Sequence, residues 1–241
     1  AQLAGMSTEA FEDFYFDGIN MITQSLGEPA RQKVQNAALH VLSALPINVA
    51  FRIGLEWGLP FDSVRPFTGA TFDPNLESEY MDPVAVAFAS RSDVPCQSFV
   101  RELVQRGMRL NVSSPLRTHS ALGDCMQQRN FGMARVYLEL GADPNFGHPS
   151  PLELLCKNNA YDLTTGADAK MLESLLKAGA DPFASFDGKT AMDSLTSSLA
   201  DIDAELYDLY QGRFDEAVDG NLPSEAQFEI DYFGDSNAAK A

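Results

Sequence analysis

Apolar residues recur at intervals of three and four along this chain, in short runs that end at glycine. In "FGMARVYLELG", residues 131–141, Met133, Ala134, Val136, Tyr137 and Leu138 fall on one side of a helix, and Gly141 stops it. The stretch before it, "SALGDCMQQRN", sets Leu122, Cys125 and Met126 at helical spacing behind Ser120. That spacing predicts a short first helix, a tight turn near Asn130 and a longer second helix. From Ser120 to Gly141 is 21 residues.

The pattern repeats. "LELGADPN" at 138–145 has a near-copy, "LKAGADPF", at 176–183, displaced by 38 residues. Before the copy, "SPLELLC" predicts a first helix and "AKMLESLLKAG" a second. Ser150 to Gly179 spans 29 residues, so eight are inserted within "NNAYDLTTGADA", 158–169. Gly166 and Ala167 in that insert follow no helix, and Asp168 reads as the N-cap of the next one. Upstream, "DPVAVAFA" and "CQSFVRELVQRG" pair over 82–111, with four residues inserted around "SRSDVP". "AALHVLSALPINVAFRIGLEWGLPFD" pairs over 37–62 with no gap and stops at Gly58. A polar fifth segment, 187–210, starts like a repeat and lacks the Gly-Ala-Asp ending.

Each residue of the stop has a physical reason. Glycine adopts the left-handed conformation that closes a helix. A small Ala lets neighbours stack, Pro fixes the departing chain, and Asp or Asn side chains satisfy turn amides. One helix pair cannot bury its apolar stripe, so pairs must stack.

The motif resembles the ankyrin repeat, whose pattern is a Thr-Pro-Leu-His-like start, two helices and a Gly-Ala-Asp-x-Asn ending. Residues 120–145 match it without a gap, with Ser120-Ala121-Leu122-Gly123 at the start. The resemblance implies about five divergent repeats over 35–210, in an all-α solenoid of stacked helix pairs. It places His40 in the slot where an imidazole bonds turn backbone.

The domain organisation then follows. Residues 1–6 read as an appended scar or a processed end, since Met6 looks like a natural start. Residues 7–30 form an acidic capping helix, 31–212 the repeat domain and 213–241 an acidic tail. The connection 62–82, "DSVRPFTGATFDPNLESEYMD", is longer than the stack needs. Its Phe67, Phe72 and Tyr80 either contact a partner or fold back over the stack edge.

Charge changes the picture of function. The formal net charge is −17. Residues 1–30 hold five acids and no Lys or Arg, and 193–241 hold twelve acids against Arg213 and Lys240; the middle is nearly balanced at −2. Such a chain repels nucleic acid and anionic lipid and attracts a basic protein. No run of 18 apolar residues is present, so no membrane span is expected. Cys96, Cys125 and Cys156 cannot all pair and form no C-x-x-C, which fits buried thiols in a reducing compartment. A cytoplasmic location is expected, with secretion or the periplasm left open.

Candidate chemistry is sparse. His119 with Cys125, or His148 with Cys156, would make a base and a nucleophile, but only sequence proximity joins them. Neither a close Cys/His cluster for zinc, nor a phosphate-binding glycine loop, nor a G-x-S-x-G is found. No enzyme activity, cofactor or metal is therefore expected.

The resemblance implies instead that a concave face binds a protein. Its contacts come from residues just before each start and from the exposed end of each first helix. In the second repeat these are Ser78, Glu79 and Met81; in the third, Leu116, Arg117, His119, Gln127 and Gln128. The fourth gives Phe146, Lys157 and Asn158, and the fifth Phe186, Asp187 and Lys189. The expected function is capture of a dedicated, basic partner, as a bacterial or phage immunity protein blocks a toxin. The alternatives are a secreted effector that mimics host ankyrin proteins, or an enzyme on a repeat scaffold.

Overall fold

A computed structural model describes residues 28–79, 81–91, 93–116, 119–158, 167–186, 188–191, 193, 211, 212, 215 and 216. The chain divides into two compact units, one ending at Leu76 and the other starting at Glu77. The described residues are mostly helical.

In the first unit, α1 spans Glu28–Leu42, α2 Ile47–Glu56 and α3 Phe61–Val64, followed by a 3₁₀ turn at Arg65–Phe67. Pro46 precedes α2 and Pro60 precedes α3, positions where a missing N–H costs nothing. α2 buries Ala50, Phe51, Ile53 and Leu55. Gly54 lets α3 approach, because a Cβ there would lie 2.4 Å from Val64 Cγ1.

α1 starts nine residues before the expected Ala37. "RQKVQN" contains good helix formers and no breaker, so nothing in it separates a cap from a first pair. His40 lies on the exposed side of α1, not in a buried turn-bonding slot. The long connection folds back: the Phe72 ring meets Phe51 edge-on at 4.9 Å. Asn48 also donates to the Asp73 carbonyl at 2.5 Å and accepts from its N–H at 3.2 Å. Phe67 is half-buried, and Tyr80 lies outside the described residues.

Among the described residues, the second unit holds three helix pairs: α4 (Val84–Phe88) with α5 (Val94–Gln105), α6 (Ala121–Gln127) with α7 (Phe131–Glu139), and α8 (Pro151–Asn158) with α9 (Ala167–Lys177). The first helices α4, α6 and α8 pack in one row and the second helices α5, α7 and α9 in another. Strands β1 (Ser185–Phe186) and β2 (Lys189–Thr190) then form a short antiparallel hairpin. α6 is buried from Ala121 to Met126, as the middle helix of a row must be.

Polar side chains tie the pairs together. Tyr137, fully buried in α7, donates from its hydroxyl to the Ala85 carbonyl of α4. Asn130 donates to Ala89 O and Arg91 O, each at 2.7 Å, and accepts from the Met133 N–H at the start of α7. Buried amides must find such partners, so these bonds fix how one pair sits on the next.

Every expected glycine stop has the same geometry. Gly58, Gly107, Gly141 and Gly179 have positive φ. Each donates its N–H three residues back, and the residue after it donates five back, as in Met108 to Leu103 and Ala142 to Tyr137. This pair of hydrogen bonds is the Schellman closure.

Asp168 departs from expectation. It lies inside the first turn of α9, not at the N-cap, and takes the Arg129 guanidinium on both oxygens at 2.8 Å. Arg129 is the single non-glycine residue at positive φ among the described residues, and its guanidinium lies 5.6 Å from the Phe131 ring centre.

Candidate partner-binding surface

The loops between helix pairs are built on the glycine stops. Two residues past Gly141 and Gly179, Asp143 and Asp181 fold their carboxylates onto the N–H groups of Asn145 (2.8 Å) and Phe183 (2.9 Å). The fourth residues after Gly107 and Gly141 then reach forward. Asn111 accepts from the Asp143 N–H at 2.8 Å. Asn145 accepts from the Asp181 N–H at 2.7 Å and donates to Gly179 O at 2.8 Å. The turns therefore form a ladder of side-chain rungs from one loop to the next.

Two of the first helices, α6 and α8, start on side-chain caps. Ser120 Oγ accepts from the Gly123 N–H, and Ser150 Oγ from the Glu153 N–H. Between them Gly147, at φ +109, brings backbone so close to Ser120 that a Cβ would sit 2.8 Å from its Cβ.

The loop carrying Leu116 is braced. Ser113 pairs with Ser120 in an isolated bridge, and the Ser114 hydroxyl donates to the buried carboxylate of Asp82. The Leu116 N–H in turn donates to Ser114 Oγ at 3.0 Å. Leu116 itself is 57% exposed. Gln127 and Gln128 are exposed at the end of α6, and Lys157 is exposed near the end of α8. Glu79 and Lys189 are also exposed.

Other expected contacts lie differently. Met81 is 5% exposed and belongs to the core, because a long apolar side chain gains more from leaving water than from staying at a loop surface. Ser78 and Phe146 are half-buried. The His119 side chain is 21% exposed, with Nδ1 3.8 Å from the carboxylate of buried Asp124. Of Asn158 and Phe186 only the backbone is described, and Arg117 and Asp187 lie outside the described residues.

Sequence reading missed Phe183, which is 63% exposed. Its position was readable in principle. It is the fourth residue after Gly179, where Asn111 and Asn145 stand after Gly107 and Gly141. A ring cannot bond the next turn, so the ladder ends there with an apolar group in solvent.

Cys125 and Cys156 are fully buried, and burial pushes both thiols far above their ordinary range. Burial, with a hydrogen bond to Asp93, also raises Cys96, to about 12. Each stays protonated near neutral pH, and a nucleophile needs the thiolate. Among the described residues no group of three or more His, Cys, Asp or Glu is placed to hold a metal ion. No helix among them is long and apolar enough to cross a membrane. Set against family models and against curated proteins, the chain matches none.

Proposed function

We propose that this chain is an ankyrin-type binding module that captures a basic protein partner through its loop tips and the ends of its first helices. The observation that carries the reading is Leu116, a large aliphatic side chain held exposed on a loop braced by Ser114, Asp82 and the Ser113–Ser120 bridge. A pre-ordered apolar group loses little entropy on binding, which is how an interface anchor works. Gln127, Gln128 and Lys157, exposed at the ends of α6 and α8, supply polar groups suited to an interface rim. The recurring glycine stops and the ladder of turn bonds support the repeat type. The net charge of −17 supports a basic partner, and an inhibitor that neutralises a basic toxin or enzyme fits both features.

The test uses the full chain as bait. A basic protein should be recovered at low salt and bind about tenfold more weakly at high salt. Leu116→Asp and Gln128→Arg, both at exposed positions, should each weaken that complex by about tenfold or more while leaving the circular dichroism unchanged. Undiminished binding by both variants would exclude this surface.

A further inference from the structure

We infer that the cleft between α7 and α9 holds the chain's own acidic and aromatic segment 225–235, "EAQFEIDYFGD". The cleft is about 270 Å³ and is lined by residues of the second helices alone. Three cations line it: Arg135 from α7, and Lys170 and Lys177 from α9. Its two carboxylates are already engaged. Glu173, 3% exposed, holds Lys177 Nζ at 2.5 Å, and Glu139 holds Arg101 at 2.5 Å. Arg135 is exposed and makes no ion pair among the described residues. Leu138 supplies an apolar wall.

The segment carries groups complementary to these in charge and polarity. Glu225, Glu229, Asp231 and Asp235 carry charge, with Phe228, Ile230, Tyr232 and Phe233 between them. Carboxylates of the segment can meet Arg135, with the lysine ammonium groups of Lys170 and Lys177 beside it, while a ring covers Leu138. Glu216 is the last described residue, and the twelve residues from it to Phe228 can span about 40 Å when extended. Glu216 and the cleft belong to the same compact unit, residues 77–241, and a compact body of that length is about 40 Å across, so the cleft lies within reach. Exposed ion pairs are too weak to hold a free acidic peptide firmly. A segment on the same chain is presented at an effective concentration of about millimolar, and weak contacts then suffice. That difference selects the chain's own segment over a separate partner.

Zero-length carbodiimide coupling of the full chain, read by mass spectrometry, tests this. Lys170 or Lys177 should couple to acids of 225–235. Raising the salt, or Arg135→Glu, should cut the yield by about fivefold, since both lysines remain in that variant. Glu229→Lys with Asp231→Lys should have the same effect on the coupling that remains through Glu225 and Asp235. An equal mixture of light and heavy isotope-labelled chains should give couplings within one label only. Mixed-label couplings would assign the segment to a second copy and overturn the proposal. So would yields unchanged by Arg135→Glu, or no coupling of the two lysines to this segment.

Discussion

Gly147 and Gly141 both sit at positive φ, yet their surroundings differ. A Cβ at Gly141 meets nothing within 4 Å, whereas one at Gly147 would strike Ser120. Gly141→Ala should therefore cost only the left-handed conformation, about 1 kcal/mol. Gly147→Ala adds a clash against a capping residue and should cost about 2–4 kcal/mol. Urea midpoints of the two variants should keep that order. The Arg129–Asp168 pair is the other residue-scale feature. Asp168 is 2% exposed and Arg129 32% exposed at the side chain, so the pair is only partly screened. A double-mutant cycle with Arg129→Ala and Asp168→Asn should give a coupling of about 1–3 kcal/mol. This pair was illegible in the sequence. Local spacing makes an Asp before an apolar run look like an N-cap, and nothing local points to an arginine 39 residues earlier.

At the scale of elements, the helix pairs of the second unit were readable because period and punctuation agree. Apolar residues at 3.6 spacing end at a glycine that closes the helix, and the two insertions leave both signals intact. The start of α1 was not readable, since "RQKVQN" carries neither stop nor cap. The ladder was visible only in part. Glycine, Asp and Asn were assigned to turns, but the reach of Asn111 and Asn145 into the next turn needs three-dimensional stacking. Asn145→Ala removes both rungs to the last turn and should cost about 1–2 kcal/mol, with faster amide exchange at Asp181. The three thiols belong to this scale too, since helix packing buries them. A disulfide reagent at pH 8 should modify none in the native chain and all three after unfolding.

For the whole molecule, charge and anchors answer different questions. The acidic ends were plain in the sequence, and they bear on the partner's sign and the speed of capture. The anchors were harder, because exposure depends on which side of each turn faces solvent. Met81 and Leu116 are both apolar and both adjoin a first helix, yet one is buried and the other exposed. The carboxylates lose their charge as pH falls toward the sequence pI of about 4.4. Affinity for a basic partner should fall with it, as calorimetric titration between pH 7 and that point would show. The ladder of turn bonds also makes the molecule extensible at one joint. A duplicate of residues 112–145 spliced in after Asn145 would meet the same carboxamide that Asn111 offers, and the added turn would offer it onward. Splicing after Phe183 would present a ring that accepts nothing, so lengthening at that end requires Phe183→Asn first.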